Sequence, residues 1–392
     1  MISISRLYCS TPGSWDNLRY KCERDAPGHP ASAPRKPVVV WNCTSRCNLQ
    51  CAHCYAACNP GPSEMSTAEA AAMLDDLAKF GVPVVMFSGG EPLMREDIFE
   101  LIGRATLLDL RSVLSTNGTL IDASVADRLR QVGVGYVGVS LDGIGEVHDR
   151  FRGQEGAFAR ALAGLRHCRQ AGLKVGLRFT ITNHNVSQLD GVFSLLAEED
   201  IPRACFYHLA PVGRGAKMPG GNLSAQASRD VLDRIIDHTA ELHRRGMKKE
   251  ILTVDNHADG PYLVLRLLRE GSARAREVLA MLEACGGNAS GTGIGCVSWD
   301  GQVHPDQFWR HASVGNVRQR PFSQIWTDPS NPLLAALRNR RPLLKGRCRM
   351  CRFLDACGGN LRVRAEAAGD LWGDDPACYL TDEEITATDT VL

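Results

Sequence analysis

The chain has 392 residues, 44% of them hydrophobic, and a formal net charge of +1, enough for one large domain with a smaller one attached. That charge gives no polyelectrolyte attraction to nucleic acid, and no run of roughly 18 apolar residues offers a membrane span. The opening MISISRLYCSTPGSW has no basic region followed by an apolar core, so a cytoplasmic location is expected, where fifteen cysteines read as metal ligands or small buried hydrophobes rather than disulfides.

Residues 1–35 have few apolar positions and read as an extended arm. From about Val38, short β-rich runs alternate with amphipathic helical ones. VVVWNCT is a strand that opens into a cysteine-rich loop. STAEAAAMLDDLAKFG is a helix, with Ser66 and Glu69 at capping-box spacing and Gly81 as its stop. PVVMFSGGEP is a buried strand breaking into a glycine turn, and RSVLSTNG, YVGVSLDG, LKVGLRFTIT and ACFYHLAP continue the series, with helices near 95–108, 122–132, 156–171 and 186–199. Six strand–helix units with continuous apolar strands imply a parallel sheet covered by helices. The strands end in polar residues (Cys47, Glu91, Asn117, Asp142, Asn183 and His208), and such rims carry the chemistry of barrels. The expected fold is therefore α/β: a partial (β/α)6 TIM-like barrel over residues 36–212. A helical linker region is expected over 213–284 and a small C-terminal extension over 285–392, where CVSWDGQVHP reads as a hairpin turning at Asp300-Gly301.

Five cysteines crowd the stretch CTSRCNLQCAHCYAAC. Cys47, Cys51 and Cys54 stand as C-x3-C-x2-C, with Cys43 and Cys58 outside that spacing and read as structural. Three thiolates on one loop suit an iron–sulfur cluster with one iron open to a small molecule; a zinc knuckle with a remote fourth ligand is the competing reading. In SGGEP, Gly89 and Gly90 place bare backbone where a ligand can approach closely. Farther on, Cys348, Cys351, Cys357 and Cys378 read C-x2-C-x5-C-x20-C, four ligands for a closed site of zinc or iron–sulfur type, while Cys285 and Cys296 read as buried thiols. The basic residues around that site, from Arg338 to Arg352, are either a solvated face or a guide for an acidic electron donor.

CNLQCAHCY after the first strand, with SGGEP after the second, resembles the radical S-adenosylmethionine superfamily from about Val38 to the C-terminus. The resemblance implies a [4Fe-4S] cluster on Cys47, Cys51 and Cys54, whose open iron chelates S-adenosylmethionine. One electron then splits the sulfonium and releases a 5′-deoxyadenosyl radical that abstracts hydrogen. It further implies cofactor contacts from Gly89, Gly90, Glu91 and Pro92, from Ser115 and Asn117 of STNG, from Ser140 and Asp142 of SLDG, and from Arg152, whose planar fork suits a carboxylate. The C-terminal four cysteines are similar to SPASM or twitch extensions and imply one auxiliary [4Fe-4S] cluster, the second being missing because Asp306 and Leu361 stand where cysteines are usual.

The stretches TVDNHADGPY, GGNASG, GCVSWDGQVHPDQFWRH and DPACYLTDEE resemble porphyrin-tailoring enzymes, nearest to the didecarboxysiroheme deacetylases of the siroheme-dependent haem route. What this implies is removal of acetate side chains from the iron tetrapyrrole 12,18-didecarboxysiroheme to give Fe-coproporphyrin III, with flavodoxin or ferredoxin as reductant. A sister family of haem d1 biosynthesis would remove propionates from the same substrate, and many other extended radical enzymes modify peptides; a zinc-dependent interaction module is the non-enzymatic reading. A flat, carboxylate-rich macrocycle needs aromatic walls and cationic anchors. Phe206, Tyr207, Trp299, Phe308 and Trp309 are candidate walls, and Arg178, Arg214, Lys217 and Arg310 candidate anchors. His208, His257, His304 and His311 are candidate partners for the substrate iron or a carboxylate.

Overall fold

The β-rich runs form strands in chain order: β1 (Ile2–Ser3), β2 (Val38–Thr44), β3 (Val84–Gly89), β4 (Arg111–Thr116), β5 (Tyr136–Ser140), β6 (Val175–Ile181), β7 (Arg203–His208), β8 (Glu250–Val254), β9 (Ile294–Val297), β10 (Gln302–His304) and β11 (Gly315–Asn316). The computed structural model describes residues 1–13, 16–20, 36–57 and 63–387. All eleven strands belong to one sheet, ordered β1-β8-β7-β6-β5-β4-β3-β2-β9-β10-β11. β2 to β7 are the six parallel strands expected of the partial barrel, each following its neighbour in sequence.

Period-2 alternation sorts the strand side chains between two faces. Val85, Phe87, Leu114, Val137, Val139, Leu177, Phe179, Ala204 and Phe206 pack into the main core. That core lies under helices α1 (Thr67–Phe80), α2 (Ile98–Leu107), α3 (Ala123–Gln131), α4 (Ala157–Gln170) and α5 (Leu189–Glu198). Their alternates Met86, Ser88, Val113, Ser115, Tyr136, Ser140, Arg178, Thr180, Cys205 and Tyr207 line a cavity on the other face. The first of these helices starts as its sequence dictates: Ser66 and Glu69 close a full capping box, and Gly81 ends it in the left-handed region at φ 84°.

The sheet runs past the six expected strands at both edges. The region 213–284 is helical as expected, with α6 (Ala225–Arg244), α7 (Asp259–Arg269) and α8 (Ala275–Cys285), but between the first two EILTV forms β8, which pairs parallel with β7. The start of the supposed arm is likewise structured: β1 pairs antiparallel with β8, and Ile4 and Leu7 are fully buried. Residues 21–35 lie outside the described residues. On the other side the expected hairpin at Asp300-Gly301 forms between β9 and β10, and β9 pairs parallel with β2, so the C-terminal extension continues the barrel's own sheet.

Candidate active site

The C-terminal ends of the strands, the cysteine loop and the C-terminal extension enclose one cavity of about 1360 Å³. Cys47, Cys51 and Cys54 all stand on its wall. Burial first, and then the neighbouring cysteines, raises the thiols of Cys47 (to about 11) and Cys51. Arg152 lines the same wall, and its Nη1 donates to Cys51 Sγ at 3.4 Å. Cys43 is different: it is fully buried, burial pushes its thiol up, and its Sγ donates to the Ser88 carbonyl at 3.3 Å, as a structural cysteine should. Cys58 lies outside the described residues.

Gly89 and Gly90 reach the cavity because the turn after β3 folds onto the cysteine loop: Gly90 N donates to Thr44 O at 2.8 Å and Glu91 N to Arg46 O at 2.8 Å. A Cβ on Gly90 would lie 2.0 Å from the Arg46 carbonyl oxygen, so no other residue fits without moving backbone. Glu91 and Pro92 do not reach the wall. The Glu91 carboxylate is instead consumed behind it, accepting from Thr116 Oγ1 at 2.7 Å, Asn117 N at 2.8 Å and Leu93 N at 3.3 Å. Burial, opposed by these donors, leaves its pKa raised to about 6. Asp142 is also behind the wall, fully buried, accepting from Thr180 N at 2.6 Å and paired with Arg152, with His53 Nε2 at 3.6 Å. Ser115, Asn117 and Ser140 are on the wall itself. Of the residues expected around the cofactor, six face the cavity; Glu91 and Asp142 hold Asn117 and Arg152 from behind, and Pro92 is buried in the turn that follows Glu91.

The second group of cysteines is also gathered. Cys357 is pushed well up, first by burial and then by its neighbours Cys378, Cys348 and Cys351. Two CGGN segments meet beside them: Gly287, at φ 69°, would put a Cβ 2.0 Å from the Cys357 carbonyl oxygen, and Asn288 N donates to that oxygen at 3.0 Å. No three His, Cys, Asp or Glu side chains among the described residues stand close enough to ligate one ion. Iron–sulfur clusters are held by cysteine thiolates, and both sets supply them. The basic stretch nearby is largely spoken for: Arg341 pairs with Asp355, Lys345 with Asp370 and Arg347 with Asp382, while Arg340 donates to Asn288.

Among the substrate candidates, Arg178, Tyr207, His208, Arg214, His257 and Phe308 line the cavity. Arg178 is sunk in the barrel, donating to Ser115 Oγ at 2.5 Å. Arg310 and His311 are corrected by the structure: the Arg310 guanidinium lies 4.1 Å over the Trp299 ring and donates to the Ala56 carbonyl, and His311 pairs with Glu366 at 2.7 Å on the outside. The HPDQFWRH turn sends Asp306, Gln307 and Phe308 to the cavity, and Trp309 packs with Phe308, Ala210 and Leu337 in a small core beside it. His304 is held at both nitrogens, by Ser298 Oγ at 3.0 Å and Ala312 O at 2.9 Å. Sequence reasoning missed two carboxyls on the wall, the half-buried Asp255 and the buried Asp306, which desolvation pushes up to about 7 and about 6. In the sequence Asp306 stands only where a cysteine is usual, and HPDQFWRH carries no sign that its carboxyl faces the cavity.

A parallel half-barrel whose first strand opens into a three-cysteine loop, with a glycine turn after the second and a cysteine-rich extension on the same sheet, is the architecture of radical S-adenosylmethionine enzymes. The family model for the radical SAM superfamily matches residues 41–196, and that for the SPASM iron-sulfur cluster-binding domain matches residues 290–352. The chain is 56% identical over 394 residues to Fe-coproporphyrin III synthase of Methanosarcina barkeri, covering 98% of this chain and 99% of that one. It is 46% identical over 360 residues to pre-heme d1 synthase of Dinoroseobacter shibae, covering 90% and 89%. Among solved structures, Streptococcus suis SuiB bound to precursor peptide SuiA shares the fold with a TM-score of 0.72 at 18% identity, over 88% of this chain and 76% of that one. The chain belongs to the radical SAM superfamily, and its cofactors are S-adenosylmethionine and [4Fe-4S] clusters. No helix among the described residues is long and apolar enough to cross a membrane.

Proposed function

We propose that this enzyme removes the acetate side chains of 12,18-didecarboxysiroheme to give Fe-coproporphyrin III. The observation that carries the reading is the 56% identity, over nearly the whole of both chains, to a protein named for that product. The cavity supports it: at about 1360 Å³ it exceeds the few hundred to 1,000 Å³ of ordinary small-molecule sites, and Tyr207, Phe308, Arg178 and Arg214 give it aromatic and cationic walls. Cys47, Cys51 and Cys54 hold the first cluster, with Cys348, Cys351, Cys357 and Cys378 holding the second. Gly89, Gly90, Ser115, Asn117, Ser140 and Arg152 bind S-adenosylmethionine, supported from behind by Glu91 and Asp142, with Pro92 in the turn that follows Glu91.

Cluster and S-adenosylmethionine together supply a carbon radical that abstracts hydrogen. The chain's own part is to hold the macrocycle over that radical and exclude water, which the barrel rim and the extension do by closing on the cavity from two sides. A flavodoxin or ferredoxin is the expected electron donor. The 46% identity to pre-heme d1 synthase keeps propionate removal as the second reading. Anaerobic incubation of the reconstituted enzyme with didecarboxysiroheme, S-adenosylmethionine and reductant, read by mass spectrometry, separates the two: stepwise loss of two acetates is expected, and loss of propionates would replace this reading with the other.

A further inference from the structure

Three histidines line the cavity: His53, His208 and His257. His53 sits inside the cysteine loop, stacked on Phe151 with ring centroids 4.6 Å apart, and its Nδ1 is buried without a partner. The His257 ring makes no hydrogen bond to the described residues, so nothing fixes its tautomer. His208 is the exception. It ends β7 at the barrel rim, is 8% exposed, and its Nε2 lies 3.0 Å from Oδ2 of the fully buried Asp259. Asp259 opens α7 and is itself held at Oδ1 by the Tyr379 hydroxyl at 2.6 Å. A carboxylate can only accept, so the His208 proton belongs on Nε2. Nδ1 keeps its lone pair, has no partner among the described residues, and is open to the cavity.

A histidine whose second nitrogen is tied to a buried carboxylate is the usual arrangement of a metal ligand, since the carboxylate fixes tautomer and ring orientation and raises the ligand's basicity. Here no protein-bound metal is called for, because both cysteine sets are already complete for their clusters. We propose that His208, through Nδ1, is the axial ligand of the iron at the centre of the tetrapyrrole substrate, with Asp259 as its positioning residue. This deepens the function proposed above and rests on it. Ligation fixes the height and tilt of the macrocycle over the cysteine loop, which carboxylate anchors at its periphery cannot do alone. Tyr379 directly follows Cys378, so the same contact ties the ligand's orientation to the second cluster's loop.

The test uses anaerobically reconstituted holoenzyme and does not depend on turnover. Wild type, His208→Ala and His257→Ala are titrated with didecarboxysiroheme and with its metal-free counterpart, and ligation of the iron is read by absorption and resonance Raman spectroscopy. Wild type should show an iron–histidine vibration that shifts on 15N-histidine labelling. His208→Ala should lose it, bind the iron form about tenfold or more weakly, and regain the signal with added imidazole. Its affinity for the metal-free form should stay within about twofold of wild type. His208→Met should move the spectrum to thioether ligation, and Asp259→Asn should keep a histidine signal at lower frequency. Uncoupled 5′-deoxyadenosine formation reports that each variant is folded. Retention of the histidine signal in His208→Ala, or its loss in His257→Ala alone, overturns the assignment, as does equal weakening toward both macrocycles, which would make His208 a carboxylate contact. If wild type binds neither macrocycle, the substrate reading itself falls and this inference with it.

Discussion

Asp306 and Asp255 are carboxyls whose pKa values burial has raised from 3.8 to about 6 and about 7. A carboxyl that holds its proton more tightly in the fold than in the unfolded chain contributes stability that is fully present below about pH 4. That contribution fades as pH rises through 6–7. Asp306→Asn should abolish its share of this slope: Oδ1 still accepts from Phe308 N at 2.7 Å, and the new amide can donate to Ser290 Oγ. The variant should match wild type in thermal unfolding near pH 4 and exceed it near pH 8, by on the order of 1–3 kcal/mol. Equal midpoints at pH 8 would mean that the fold does not raise the Asp306 pKa. These two residues also mark where the sequence was silent. Their chemistry comes from burial against elements far along the chain, and no local pattern encodes that. The His208–Asp259 pair is of the same kind, 51 positions apart and joined only because β7 lies beside β8 and its following helix.

At the scale of elements, the motifs that could be read were those set by contacts within a few residues. The capping box of α1, the Asp300-Gly301 hairpin and the polar strand ends of the barrel all appeared as expected. β8 did not, because an apolar run as short as EILTV does not by itself separate a strand from a buried helix segment; its partners β7 and β1 make it a strand. HPDQFWRH divides its candidates for the opposite reason: Phe308 reaches the cavity, Trp309 packs beside it in a small core, and Arg310 and His311 turn away to Trp299 and Glu366. Two glycines test how tightly loops are joined. Gly90→Ala must push the cysteine loop away and should weaken S-adenosylmethionine binding at least tenfold, the equivalent of about 1.4 kcal/mol. Gly287→Ala collides with Cys357 of the other cysteine set and adds left-handed strain. It should lower iron from about eight to about four atoms per chain while leaving uncoupled cofactor cleavage in place; full iron content in that variant would show that the two CGGN segments are not part of the cluster's support.

For the whole molecule, the first cysteine set follows β2 whereas the second lies on and after short helices beyond β11, so each should load independently. Cys351→Ala should halve the iron and spare 5′-deoxyadenosine formation, whereas Cys51→Ala should abolish that reaction and keep about four irons. If Cys351→Ala stops cofactor cleavage with the first cluster intact, electrons must reach the first cluster through the second. The sheet's continuity also governs how the chain is made. β2 begins at residue 38 but one of its two parallel neighbours begins at residue 294, and that neighbour leaves the ribosome only after every barrel strand has emerged. Until then β2 has an open edge, and the loop carrying Cys47, Cys51 and Cys54 hangs from a strand paired on one side only. Pairings so distant along the chain form late and slowly. The loop of the first cluster thus passes most of translation on a sheet with one edge unfinished.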